Sequence, residues 1–327
     1  MDEYQLEQWD SAVKEACAKL RMDANETAVF SRELEHAVAT LYETEFVELN
    51  ANQLFLPDPP ADVADESYRM RHMEGKAEAK IIANWDNKLP TASYGGGERS
   101  YPIRSLANAY IWTLQDARVA AKTGLPLDTK LAEACKRAHA ELLETCQLTG
   151  DAASGVNGLF SAANGVITAR AVAKVGVTWN NAAVTFAVIL RDFTAMWEKV
   201  VGDTKGKRKP TTFAVGTRAM LAITKPLDMG GGIYRSIWEL LLASYGPMGL
   251  KELIHVPSFD TMAAGSTDRV MLYTKDVRVA ASQTPEFFTQ LAPQAQGLTM
   301  VVPCHSRVGG VHVEEPLAFA YMDGTIS

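Results

Sequence analysis

The stretch from Asp65 to about Ala109 most limits what this chain can become. Tyr68-Arg69-Met70-Arg71-His72-Met73 reads as a strand, and residues 91–94 with residues 101–104 read as its return. Between the limbs lie Gly75, Asn84, Asp86, Asn87 and Pro90, then the run Gly95-Gly96-Gly97. These residues punctuate regular structure. The whole is a long polar hairpin with a glycine-rich limb and no apolar residues to spare for a core. An isolated two-stranded hairpin is barely stable in water. A limb of about fifteen residues reaches roughly 50 Å at about 3.3 Å per residue. Its unpaired edges are a hazard for a monomer. The segment makes physical sense when a neighbouring subunit covers it.

The rest of the chain supplies ordinary folded material. At 327 residues it exceeds one simple core and points to two lobes with an added arm. Leu6, Trp9, Val13, Ala16, Cys17 and Leu20 recur at helical spacing, and so do Phe30, Leu34, Ala37, Val38 and Leu41. Phe55-Leu56-Pro57-Asp58-Pro59-Pro60 then breaks regular structure, so residues 1–64 read as an arm. Residues 110–123 read as a helix closed by Gly124, and residues 129–149 as a second, with Asp128 as N-cap and Gly150 as terminator. In the second, Leu131, Cys135, Ala138, Leu142 and Cys146 form the expected apolar stripe, with Lys130, Glu133, Arg137 and Glu144 off it. A third helix starts near Asn180, with Trp179, Ala183, Phe186, Leu190, Phe193, Trp197 and Val201 as its stripe. Residues 202–210 form a basic loop, residues 211–215 and 270–273 strands, and residues 236–243 a short helix. Residues 297–302, 310–313 and 316–321 are closing strands, with turns at Arg307-Val308-Gly309 and Asp323-Gly324. Helices and strands are interspersed without strict alternation, so the fold class is α+β.

The chemistry-bearing motifs are missing. Gly202-Asp203-Thr204-Lys205-Gly206-Lys207-Arg208 is one residue short of a phosphate-binding loop and ends in Arg where a hydroxyl is needed. Gly230-Gly231-Gly232 lacks the third glycine of a dinucleotide fingerprint. No pair of cysteines has metal or redox spacing; Cys17, Cys135, Cys146 and Cys304 read as reduced thiols. His305 and His312 are placed to meet across a hairpin, with Cys304 beside them. One reading is a metal site or thiol–imidazole pair; the preferred one is strand residues in a core or at an interface. Glu314-Glu315 and Asp65-Glu66 read as solvated, and the run Lys205 to Lys209 as a solvated connection or a contact to DNA or to a neighbour's carboxylates. The net charge of -7 argues against tight phosphate binding. There is no apolar run long enough for a membrane span and no signal-peptide pattern. We therefore expect no catalytic, cofactor-binding or metal residues and a structural protein, not an enzyme.

The order of elements resembles the Hong Kong ninety-seven fold of tailed-phage major capsid proteins, also found in encapsulins. It is most similar to a phage major capsid family formerly of unknown function. The resemblance is carried by residues 89–103 as second limb of the loop and by Tyr110-Ile111-Trp112-Thr113-Leu114-Gln115-Asp116-Ala117-Arg118 as the lead-in helix. It continues through the spine helix after Gly124-Leu125-Pro126-Leu127-Asp128, the turn Gly155-Val156-Asn157-Gly158-Leu159-Phe160 and Lys209-Pro210-Thr211-Thr212-Phe213. It ends in Gly297-Leu298, Arg307-Val308-Gly309-Gly310-Val311, Glu315-Pro316-Leu317-Ala318 and Tyr321-Met322-Asp323-Gly324. The match spans about residues 65–327.

That resemblance implies an N-terminal arm at 1–64, an extended loop at 65–109, a peripheral domain at 110–163 and 296–327, and an axial domain at 164–295. It implies homo-pentamers and homo-hexamers on an icosahedral lattice, made in a host bacterial cytoplasm and ending in the virion. The lattice encloses double-stranded DNA without sequence-specific binding, and no membrane is involved. A separate scaffold protein, a portal and a cement protein are the implied partners. Some relatives crosslink through Lys and Asn; Lys76, Lys80 and Lys88 lie in the loop, but the Asn and Glu of that chemistry have no match, so none is assigned. An encapsulin-like compartment and a soluble enzyme using Cys304 and His305 are the rival readings.

Overall fold

The computed structural model describes residues 46–57, 61–81, 89–123, 127–174, 178–179, 186–228 and 234–326. The chain divides into two units, Met1–Phe46 and Val47–Ser327, and every described helix and strand belongs to the second. The two helices expected before residue 43 lie outside the described residues.

A 3-10 turn, Ala51–Leu54, leads into the short strand β1, Leu56–Pro57. The expected hairpin follows as β2, Ser67–Lys76, and β3, Ser93–Pro102, in unbroken antiparallel register. β3 includes all three consecutive glycines, which we expected to interrupt it. Next is β4, Arg104–Thr113, then α1, Leu114–Thr123. Residues 110–113 were expected in the helix. They are strand because Tyr110, Ile111, Trp112 and Thr113 pair with Val302, Val301, Met300 and Thr299. Aromatic and β-branched residues suit that ladder, and the long-range pairing overrides the local helical spacing.

The spine helix is α2, Leu127–Leu148, about 33 Å long at ~1.5 Å per residue. Its stripe is rotated from the expected one. Leu142 is 46% exposed, whereas His139 and Glu144 are 6% exposed and Leu148 is buried. The short pair β5, Gly150–Asp151, and β6, Val156–Asn157, turns the chain into a one-turn helix at Val166–Ala169. The third long helix is α3, Phe186–Asp203, burying Phe193, Met196 and Trp197. β7, Thr212–Val215, and α4, Thr217–Thr224, follow, then the pair β8, Pro226–Asp228, and β9, Tyr234–Ser236. Helix α5 is Ile237–Tyr245, with the Ser236 hydroxyl accepting from the Glu239 N–H as an N-cap.

The remaining strands are β10, Glu252–His255; β11, Arg269–Tyr273; β12, Ala280–Gln283; β13, Glu286–Gln290; β14, Gln294–Gln296; β15, Thr299–Val308; β16, Gly310–Val313; and β17, Phe319–Asp323. β15 and β16 are not a hairpin as expected. β15 pairs with β4, β13 and β14, while β16 crosses to β12 in another sheet with β1. Gly310 makes the change of sheet possible: its φ is 72°, and a Cβ there would strike the Asn157 carbonyl.

The central sheet runs β10-β7-β11-β17. Its side chains alternate between two cores. Phe213, Val215, Val270, Leu272, Ala320 and Met322 meet α3, α4 and α5 on one face. Ala214, Met271, Tyr273, Phe319 and Tyr321 meet Leu54, Phe55, Leu148, Phe160 and Val311 on the other. A sheet covered on both faces needs apolar residues along its central strands, which is why β7 and β11 read as continuous apolar runs. The last part of the expected arm is therefore seated in the core, with Ala51 and Leu54 each 1% exposed.

Candidate assembly surface

The β2–β3 hairpin is exposed along nearly its whole length. Met73 is 79% exposed and Tyr94 81%. Only its root is fixed. There the rings of Tyr68, Tyr101 and His312 lie 5.3–6.0 Å apart, and the Ile103 N–H donates to the Glu66 carbonyl at 2.9 Å. Arg307 also donates to the Val63 carbonyl. The glycines are covered across the strands: the His72 ring lies over Gly97 and the Tyr94 ring over Gly75. Such cross-strand aromatic–glycine pairs hold a flat strand without a core. Glu98 bridges Arg71 at 2.9 Å and Arg69 at 3.7 Å. Those exposed pairs contribute about 0–1 kcal/mol each.

The spine helix α2 packs on the sheet of β4 and β15. Tyr110, Cys135, Val302 and Cys304 form its buried centre. Burial pushes the Tyr110 hydroxyl up to about 12, with the Asp128 carboxylate adding to the effect. His139 bolts three elements together: Nδ1 lies 2.7 Å from the Ser306 hydroxyl and Nε2 lies 2.9 Å from Asn108 Oδ1. Burial, and then the charge of nearby His305, lower its pKa, so the ring is held neutral. A cleft of about 400 Å³ opens beside it, lined by Leu143, Glu286, Phe287, Phe288 and Arg307. Glu144, expected on the outer face, is turned inward and accepts from the Ser258 hydroxyl and the Ala51 N–H.

The residues singled out for chemistry are dispersed. His305 pairs with Glu286 at 2.8 Å, and His312 sits among the hairpin-root tyrosines. They do not meet, because their strands belong to different sheets. Cys304 lies beside Cys135, and burial pushes its thiol up, which disfavours the nucleophilic thiolate. Among the described residues no group of three or more His, Cys, Asp or Glu could hold a metal. No described helix is long and apolar enough to cross a membrane. Lys76 and Lys80 are exposed in the loop, and Lys88 lies outside the described residues.

The basic run is partly spent within the chain. Arg208 Nε and Nη2 grip Glu315 at 2.7 and 3.0 Å, Arg208 Nη1 reaches Asp276 at 3.1 Å, and Lys207 reaches Glu315 at 3.0 Å. Glu315, expected to be solvated, is instead held down to about 2 by Arg208 and then Lys207. Arg170, 1% exposed, donates to Asp203 and to the carbonyls of Phe319, Leu317 and Lys199, tying α3 to β17.

The sequence model of a family described as major capsid protein matches residues 77–325. No curated protein sequence matches the chain. Among solved structures, the capsid of the Myoviridae phage XM1 superposes with a TM-score of 0.77 at 15% identity, over 91% of this chain and 99% of that one. A Mycobacterium phage Bobi chain gives 0.61 at 11% identity, over 92% and 99%. The capsid of a native GTA particle gives 0.58 at 15% identity, over 91% and 97%. At these identities the likeness concerns the fold.

Proposed function

The chain belongs to the major capsid protein family, and from that membership we propose that it is the shell subunit of a tailed-phage head. The observation that carries this reading is the family match over residues 77–325, on a chain whose longest hairpin is left exposed by the other described residues. The subunits form pentamers and hexamers that close an icosahedral lattice around double-stranded DNA. A separate scaffold protein guides the first closed form, and portal and cement proteins complete the head. The subunit is made in the host bacterial cytoplasm.

In this reading residues 1–64 are the arm, 65–109 the extended loop, 110–163 with 296–327 the peripheral domain and 164–295 the axial domain. The pairing of β17 with β11 supports moving Phe319–Asp323 to the axial side of that division. The two cores on a shared sheet support a rigid plate. The hairpin lies over one neighbour and the arm meets another. Each contact is modest, and closed-lattice avidity multiplies them. Expansion of the first shell requires interfaces with two stable arrangements, hinged at the hairpin root and along α2. The wall does the mechanical work of the head, and no catalytic role is assigned to it.

Light scattering and negative-stain electron microscopy of the purified chain, with and without co-expressed phage proteins, test this. Closed shells, or rings of five and six, are the expected result. A stable monomer or dimer under every condition would overturn it.

A further inference from the structure

We propose that Cys135 and Cys304 form an intramolecular disulfide when hydrogen peroxide reaches the subunit, and that the bond fastens the spine helix α2 to β15. The inference concerns the single chain and stands apart from the shell reading.

The two thiols are brought together by a register between helix and strand. β15 buries every second residue, Val302, Cys304, Ser306 and Val308. Along α2, Leu131, Cys135, His139 and Leu143 lie one turn apart. Four helical residues rise roughly 6 Å, and two strand residues roughly 6.7 Å, so the two rows stay in step. Leu131 shares a cluster with Val302, His139 Nδ1 meets the Ser306 hydroxyl at 2.7 Å, and Leu143 packs with Val308. Cys135 and Cys304 are the rung between these contacts. Asn108 pins that rung from the side. It stands opposite Cys304 on β4, its Nδ2 donates to the Cys135 carbonyl at 3.3 Å, and its Oδ1 lies 2.9 Å from His139 Nε2. The Cys304 and Cys135 side chains are in hydrogen-bonding contact. Sulfurs so placed bond by closing to about 2.05 Å.

The other thiols are placed elsewhere. Cys146 lies in a separate cluster with Val156 and Val308, and Cys17 lies outside the described residues.

Exposure sets the order of events. Cys135 is 8% exposed and Cys304 1%, so a molecule as small as peroxide meets Cys135 first. The Cys135 sulfur attacks one peroxide oxygen and the O–O bond breaks. The departing hydroxide takes up the thiol proton as water, and Cys135 is left as a sulfenic acid. Cys304 then attacks that sulfur. The S–O bond breaks, the S–S bond forms, and the hydroxide leaves with the Cys304 proton as a second water. The two thiols lose two electrons, and one peroxide is reduced to two waters. Burial holds the Cys304 thiol protonated, so the second step is slow and the pair is a lasting fastening, not a fast sensor. A reducing compartment keeps both thiols reduced. The bond closes a long loop, from α2 to β15, and long loops gain most by closure.

The test treats the purified wild-type chain with dilute hydrogen peroxide, blocks the remaining thiols under denaturing conditions, and maps the peptides by mass spectrometry without reductant. We expect a linked peptide joining Cys135 to Cys304, which dithiothreitol releases. The thermal midpoint should be higher in oxidised than in reduced chains by about 5 °C. Cys304→Ala should trap Cys135 as a sulfenic acid that dimedone captures, with no rise in midpoint. The inference is overturned if both thiols stay blockable, if Cys135 passes to the sulfinic acid beside an intact Cys304 thiol, or if either pairs with Cys146 or Cys17. A linked pair with an unchanged midpoint overturns the fastening. The wild-type map decides the matter without the variant. Free subunits and shells serve equally, so a chain that does not assemble sinks the shell reading and leaves this test intact.

Discussion

Glu315 illustrates how much one side chain holds. It joins the loop after α3 to the last turn before β17 through Arg208 and Lys207, and its carboxyl is depressed from 4.5 to about 2. A depressed carboxylate stabilises the fold above its unfolded value and stops doing so as pH falls through its folded value. The window is therefore from about 4.5 down to about 2. The full shift corresponds to about 3 kcal/mol at ~1.4 kcal/mol per unit. The partial exposure of the pair reduces that to roughly 1–2 kcal/mol. Glu315→Gln should lose this amount at neutral pH, with the deficit shrinking toward zero near pH ~2. Denaturant unfolding of unassembled subunits at several pH values checks it, and a pH-independent deficit would refute the assignment. Glu315 looked like a solvated acid in the sequence because its partners lie more than a hundred positions away. His139 and Glu144 were hidden for a related reason. A polar residue facing a core is readable only once its hydrogen-bond partners, Ser306, Asn108 and Ser258, are placed beside it.

At the scale of elements, the hairpin is the clearest case of local chemistry setting local structure. Gly97 lies under the His72 ring so closely that an added Cβ would sit 2.5 Å from the ring. Gly97→Val should push the ring off the strand and twist the exposed limb. The hairpin contributes little to the subunit's core, so stability should change by no more than about 0.5 kcal/mol. Assembly should fall several-fold, because the displaced limb no longer fits its neighbour. Thermal unfolding of subunits and particle yield separate the two effects; a large loss of subunit stability would contradict this view. The hairpin was legible because polar, glycine-rich sequence with strand-forming ends has few alternatives. β7 and β11 were legible as continuous apolar runs. Residues 110–113 were not, since Tyr110 and Trp112 satisfy a helical pattern as well as a strand. Only the pairing with β15 decides between them. The short strands β10, β12 and β13 passed unseen for the same reason, each being held by a partner distant in sequence. The site behaved likewise. The extended loop could be read as an interaction element, whereas the packing of its root tyrosines on His312 appears only when β16 is placed beside it.

For the whole molecule, charge is the property that bears on contents. The net charge of -7 is not spread over the chain. Residues 1–45 carry 11 acidic and 4 basic side chains, and residues 46–327 carry 28 of each. Residues 46–327 are thus neutral overall, and part of their basic surface is already engaged, as Lys207 and Arg208 are with Glu315 and Asp276. Tight binding of duplex DNA depends on releasing counterions with many unpaired Lys and Arg groups. A neutral body with an acidic leading segment does not provide that excess. Packaged DNA would then be confined by the wall without being gripped by it, which lets the same surface serve during filling and emptying. Empty shells should show no tight duplex binding at physiological salt, and removal of residues 1–45 should raise binding mainly at low salt, where screening is weak. Electrophoretic retardation of a labelled duplex by full-length and truncated chains, across a salt series, measures this. Tight retardation by full-length shells at physiological salt would show that the wall holds its cargo after all, and would place an unpaired basic surface on the inner face.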